Sequence, residues 1–205
     1  MDLDGMVDRL KQKNHLKSEE VEKAFRNVDR AVFVPEKYRM SAYEDQPLPI
    51  GEEETISAPH MVAINTELLE PESDDRIVEV GSGSGYQVAV LAEIADEVTG
   101  IEINMDLVDQ SRENLEKAGI ENVEIIRGSG LEPVKGGFDR ILYSCAVPPE
   151  KFESAKKRLT EKGVLVAPVE ENGTQVVKKF RAESGEVTRH GRVRFVGFKQ
   201  ESNSD

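Results

Sequence analysis

Arg76-Ile-Val-Glu-Val80 is a β-branched run that breaks off into Gly81-Ser-Gly83-Ser-Gly85. Tyr86–Ile94 then reads as an apolar helix. A strand that ends in a glycine loop and passes at once into a helix is the entry of a βαβ unit. The loop lets backbone N–H groups come close to a ligand at the helix start. The rhythm then repeats. Val98–Ile103 reads as a strand, and Asn104–Ala118 as an amphipathic helix closing at Gly119. Val123–Arg127 and Asp139–Cys145 read as strands, Glu150–Leu159 as a helix and Gly163–Val169 as a fifth strand. Repeated βα units predict an α/β chain with a Rossmann-like, doubly wound, mostly parallel sheet. Gln175–Arg181 and Val187–Phe198 predict a C-terminal antiparallel hairpin turning at Ser184-Gly185.

Upstream of the loop, residues 1–40 read as helical. Met6 and Leu10, then Val21, Phe25 and Val28, recur at helical spacing, and Ser18 marks a helix start. Ala31–Ile50, rich in Pro and Tyr, reads as an irregular loop, and Gly51–Glu54 as a polar turn. Ser57 is expected to cap a helix whose first turn tolerates Pro59. No linker interrupts the pattern. The expectation is one domain over 1–205, with an N-terminal helical segment (1–70), a βα core (76–169), C-terminal strands (174–198) and a polar tail.

The chain of 205 residues carries 40 acids and 27 Lys or Arg, a net charge of −13. Residues 51–110 hold 15 acids and one base, Arg76, so almost all the surplus lies there. This balance argues against nucleic-acid binding through a broad basic face. The lone Cys145 excludes an internal disulfide and fits a reducing compartment. The acidic start MDLDGMVDRL has no apolar core of a secretory signal, and no stretch is apolar for the roughly 18 residues a membrane span needs. A soluble, cytoplasmic protein is expected, with no membrane partner.

The chemistry of the loop narrows the ligand. A dinucleotide fingerprint would place its third glycine at position 86, which is Tyr86; here the third glycine comes early, at Gly85. Glu79 stands inside the strand just before the loop. A pyrophosphate is badly served by a carboxylate beside it, whereas a cationic sulfonium with a free amino group tolerates one. The pattern of Glu79, Gly81, Ser82, Gly83 and Gly85 therefore favours S-adenosyl-L-methionine. Glu102, with Ile103 beside it, ends the next strand, where an acid accepts hydrogen bonds from ribose hydroxyls. Gly128-Ser129-Gly130 follows the third strand, at the adenine position of this architecture; taken alone it reads as an ordinary turn.

Glu54-Thr-Ile-Ser57-Ala-Pro-His60-Met61, followed by Val78-Glu-Val-Gly-Ser-Gly-Ser-Gly-Tyr86, closely resembles the protein-L-isoaspartate O-methyltransferases. The resemblance extends through Gly163–Val169, Gly173-Thr-Gln175 and Val193-Arg-Phe-Val196, and covers most of residues 18–198. The glycine motif is shared by many methyltransferases, whereas the Thr-Ile-Ser-Ala-Pro-His segment is much more specific. The resemblance implies a class I methyltransferase fold and a repair activity. The methyl of S-adenosylmethionine passes to the free α-carboxyl of an L-isoaspartyl residue in a damaged protein, with D-aspartyl residues as a second candidate. S-adenosyl-L-homocysteine is left, and the ester collapses to a succinimide that can reopen to aspartate. Ser57 matches the active-site serine. Thr55, Ile56, Ala58, His60 and Gln175 match the substrate neighbourhood, and Gly81, Gly83, Glu102, Gly128 and Ser129 the cofactor positions. Ser129 stands where the family commonly carries Asp.

A carboxylate is ionised at pH 7 and already nucleophilic, so catalysis is expected to come from alignment in a dry site. Ser57 then reads as a hydrogen-bond donor to the substrate carboxylate and not as a covalent nucleophile. Cys145, in an apolar strand, reads as a small hydrophobe. His15, His60 and His190 are too dispersed for a metal site, so no metal is expected. The alternatives are a methyltransferase acting on another carboxylate or a small molecule, and a cofactor-binding protein-interaction module. A monomer is expected.

Overall fold

Alternation of apolar side chains fixes the sheet. In the computed structural model, which describes residues 1–200, Arg76–Val80 forms β3 as expected. Residues 201–205 of the polar tail lie outside the described residues. Ile77 packs into one hydrophobic layer, while Val78 and Val80 pack into the other. That is the period-two pattern of a strand covered on both faces. Glu79 is the one charged residue between Ile77 and Val80, and it is buried too.

Upstream elements are α1 (Leu3–Gln12), α2 (Glu19–Asn27), β1 (Leu48–Gly51), β2 (Glu54–Ile56) and α3 (Pro59–Leu69). After β3 come α4 (Tyr86–Ala92), β4 (Glu97–Glu102), α5 (Met105–Ala118), β5 (Val123–Arg127), β6 (Phe138–Tyr143), α6 (Pro149–Lys156), β7 (Leu159–Glu171), β8 (Thr174–Arg181) and β9 (Val187–Val193). The main sheet runs β5-β4-β3-β6-β7-β8-β9. Its first five strands are parallel, and β8 and β9 add an antiparallel edge. One face carries α1 to α5; the other carries α6 and the Leu131–Val134 segment. Strand order reverses at β3, so a crevice opens beyond the carboxyl ends of β3, β4 and β6. Among the described residues no helix is long and apolar enough to cross a membrane.

Local chemistry explains the ends of α5. The Asn104 carboxamide accepts from the N–H of Asp106 at 2.8 Å, and Gly119 takes a left-handed φ of 71° after Ala118. Gly185, at φ 68°, turns the β8–β9 hairpin at the expected place.

Four expectations need correction. Ser57 does not cap α3: Ala58 holds that position, Pro59 is the first helical residue, and no side chain caps the end. Residues 31–50 are only partly irregular. They contain 3-10 turns over Arg30–Phe33 and Glu36–Ser41, and β1 pairs with β2 through a hairpin whose corner puts Glu52 and Glu53 at φ 53° and 61°. β7 is longer than expected because Leu159 already pairs with Phe138 across a bulge. β9 ends at Val193, after which Gly197 touches the sheet only as an isolated bridge to Ala146.

Candidate active site

The loop after β3 is tied to β4 from below. The N–H groups of Gly81 and Ser82 both donate to the Ile101 carbonyl, at 2.8 and 3.1 Å. Gly81, Gly83 and Gly85 hold φ of 86°, 51° and 88°, a region where a Cβ is strained. The Gly83 N–H donates to Glu102 Oε2 and the Asn104 N–H to Glu102 Oε1, both at 3.0 Å. Glu102 therefore braces the glycine loop and the start of α5 at once. Its carboxylate oxygens keep lone pairs for further donors.

Glu79 is buried two residues before the loop. Its Oε1 accepts from the Ser144 hydroxyl at the end of β6, and its Oε2 has no partner. Burial raises its pKa to about 8; the Ser144 bond opposes this, and the nearby Glu102 charge adds to it. A buried carboxylate short of one donor, next to a second carboxylate, is an environment completed by a cation. That fits the amino group and sulfonium of S-adenosylmethionine and does not fit a pyrophosphate.

The β1–β2 hairpin delivers the other half of the site. Thr55, Ser57, Ala58 and His60 come off β2 and the start of α3 and face the same cavity as Gly81, Gly83, Glu102, Ile103, Gly128 and Ser129. That cavity has a volume of about 650 Å³. His60 is fixed by Asp45, whose Oδ1 takes the His60 backbone N–H at 3.0 Å and lies 2.7 Å from Nδ1. Burial works against the Asp45 charge, but the His60 bonds outweigh it and hold this carboxyl below its ordinary value.

Five expected residues lie off the cavity surface. Ile56 is core. Glu79 acts through Ser144, which does line the cavity. Ser82 packs over β4: a Cβ built on Gly100 would sit 3.0 Å from the Ser82 Cβ. Gly85 faces α5, where the Ser111 Cβ would crowd any added Cβ at 3.3 Å. Gln175 clamps the chain after β9, accepting from the Phe195 N–H at 2.5 Å and donating to its carbonyl at 3.0 Å. Gly128 does reach the cavity, but its missing Cβ makes room for Pro133, whose Cγ would lie 2.5 Å away.

The sequence reading missed several contributors. Asp45, Arg30 and Ser144 act through long-range contacts that no local motif marks. The segment Arg192–Lys199 closes one side of the cavity and carries three cations and no acid. Lys199 pairs with Glu54 at 2.6 Å, whereas Arg192 and Arg194 form no ion pair among the described residues. Cys145 also lines the cavity, but burial and then the charges of Glu102, Glu54 and Glu79 push its thiol up to about 12, so it stays protonated and unreactive.

A family model described as protein-L-isoaspartate(D-aspartate) O-methyltransferase matches residues 1–203. A protein-L-isoaspartate O-methyltransferase of Methanoculleus marisnigri is 42% identical over 180 residues, covering 87% of this chain and 79% of its own. One from Methanopyrus kandleri is 42% identical over 202 residues, covering 93% and 88%. Among solved structures, a protein described as an enzyme of this type from Plasmodium falciparum, in complex with S-adenosyl-L-homocysteine, superimposes with a TM-score of 0.85 at 28% identity, covering 98% of this chain and 100% of that one. A family match that spans nearly every residue, with relatives this similar over most of their length, places the chain in the protein-L-isoaspartate(D-aspartate) O-methyltransferase family.

Proposed function

We propose that this chain repairs damaged proteins by methylating the free α-carboxyl of L-isoaspartyl residues, with Ser57 as the residue that orients that carboxyl. One observation carries the residue assignment: Ser57 shares a single cavity with Gly81, Gly83 and Glu102, so an orienting hydroxyl and a cofactor cradle face the same space. S-adenosylmethionine, when bound, supplies an electrophilic methyl on a sulfonium. The protein's part is to hold, align and dry the partners. Glu102 is set to accept from ribose hydroxyls, the glycine loop to offer close backbone, and Gly128-Ser129 to flank the base. Glu79, through Ser144, favours positive charge at the end of β3. Ser57 donates to a substrate carboxylate that is already ionised at neutral pH, so no general base is needed. His60, locked by Asp45, borders the substrate side. Enclosure by the Arg192–Lys199 segment removes water, which favours a reaction in which opposite charges cancel.

We also infer a single domain, because Met6 and Val21 of the N-terminal helices pack in the same cluster as Ile77 and Leu107 of the βα core. We read the lone Cys145 as a sign of a reducing cytoplasm, and we expect a monomer.

Ser57→Ala tests the assignment. Losing a donor that acts in the transition state is expected to lower kcat by about 100-fold. S-adenosylhomocysteine affinity should stay within about threefold, since no binding donor to the cofactor is removed. Wild-type turnover in this variant would refute the role given to Ser57.

A further inference from the structure

Arg30 is fully buried at the start of the 3-10 turn before β1. Its guanidinium donates only to backbone carbonyls: Ala42, Gln46 at 3.2 Å and Ser57 at 3.0 Å. No carboxylate pairs with it among the described residues, and its Nε has no partner. Its far face lies 5.9 Å from the ring centre of Tyr86, the first residue after the glycine loop. Burial depresses this guanidinium to about 10, so it is still charged at neutral pH. The nearby Asp45 charge favours the cation, but that carboxylate is bonded to His60 and Lys13 and forms no ion pair with Arg30; a buried cation without a paired counter-charge is costly. This chain, with 40 acids, leaves one beside Ser57.

The peptide unit between Ser57 and Ala58 shows what that charge can do. Among the described residues there is no cis peptide bond, so the carbonyl and N–H of this unit point in opposite directions. The carbonyl faces Arg30; the Ala58 N–H therefore points away from it. Ser57 and Ala58 both line the cavity. Pro59 has no N–H, and that of His60 is committed to Asp45. The Ala58 N–H forms no hydrogen bond among the described residues.

We infer that Arg30 is a positioning residue that provides the counter-charge for the substrate carboxylate, acting through the Ser57–Ala58 peptide, whose N–H joins the Ser57 hydroxyl in receiving it. The inference rests on the assignment of Ser57 above. It answers an electrostatic problem, because the chain segment that builds this site, residues 51–110, carries a net charge of −14. The exposed Arg192 and Arg194 are screened by salt; a charge sealed beneath Ser57 is screened much less.

The test compares two peptides on the protein saturated with S-adenosylhomocysteine: an isoaspartyl peptide and the same peptide with its α-carboxyl replaced by a neutral carboxamide. Wild type is expected to favour the carboxylate about thirtyfold, the scale of a Coulomb attraction across about 8 Å at an effective dielectric of about 20. That ratio should survive a rise from about 0.05 to 0.5 M NaCl, because the charge is buried. In Arg30→Gln the ratio should fall to about one while cofactor-product affinity stays within about threefold, as expected when a single charge–charge interaction is removed. A wild-type ratio abolished by salt, or a folded Arg30→Gln that keeps the ratio, would overturn the inference. The salt arm decides it even where the variant does not fold. A wild type that methylates no isoaspartyl peptide removes this inference together with the function; one that methylates it without a salt-resistant ratio removes this inference alone.

Discussion

Glu79→Gln changes one atom and isolates the most perturbed carboxyl in the site. In the folded, cofactor-free chain this group titrates at about 8, against 4.5 for an ordinary glutamate. Between those values the folded chain holds a proton that the unfolded chain has released. Stability therefore falls as pH rises from about 4.5, and the loss is complete above about 8. The gap corresponds to on the order of 4–5 kcal/mol, at about 1.4 kcal/mol per tenfold change in proton affinity. Glutamine keeps an oxygen for the Ser144 hydroxyl and carries no titrating proton. The assay is urea denaturation of both cofactor-free proteins at about pH 5 and pH 8.5, values chosen to bracket the transition. The other groups titrate alike in the two proteins and cancel. The variant should gain several kcal/mol on wild type between the two pH values. A stability difference that stays constant with pH would falsify the account of Glu79 as a carboxyl neutral until a cation arrives. The same logic makes S-adenosylmethionine binding near neutral pH release a proton in wild type and none in the variant.

Two further outcomes follow from packing. Gly100→Ala should cost about 1–3 kcal/mol by overpacking, seen as a lower Tm, because the new Cβ would lie 2.6 Å from the Ile125 Cδ1 and 3.0 Å from the Ser82 Cβ. Gln175→Ala releases both bonds that hold Phe195, so the isoaspartyl-peptide KM should rise roughly fivefold on the scale of one hydrogen bond. S-adenosylhomocysteine affinity, measured by titration calorimetry, should hold steady, since Gln175 stands off the cavity.

Where an element is specified by its neighbours in sequence, it could be read directly. β3 and β5 fall on the expected residues because their alternation is bounded by glycine or polar turns. α5 starts and stops at Asn104 and Gly119 because capping is local chemistry. The shared cavity of the Thr55–His60 segment, the loop and Glu102 followed from motif order, since a βαβ unit gathers its loops at one sheet edge. What escaped was set by distance. Ser57 looked like a cap, but its carbonyl is taken by Arg30, 27 positions earlier, and Pro59 starts the helix one residue later. Gly128 lines the cavity as a cofactor position would, but its lack of a Cβ also makes room for Pro133, which nothing local marked. Gln175 looked like a lining residue and is a clamp on another segment. Asp45 gave no signal, because nothing near it in sequence marks a histidine partner 15 positions away.

The central claim is selective methylation of a damaged backbone, and labelled methyl transfer tests it most directly. The purified chain is given S-adenosylmethionine with a labelled methyl and one of two peptides that differ only in an isoaspartyl or an aspartyl linkage. Label should enter the isoaspartyl peptide as a base-labile ester and leave the aspartyl isomer at background. Equal labelling of the two, or none of either, would contradict the account.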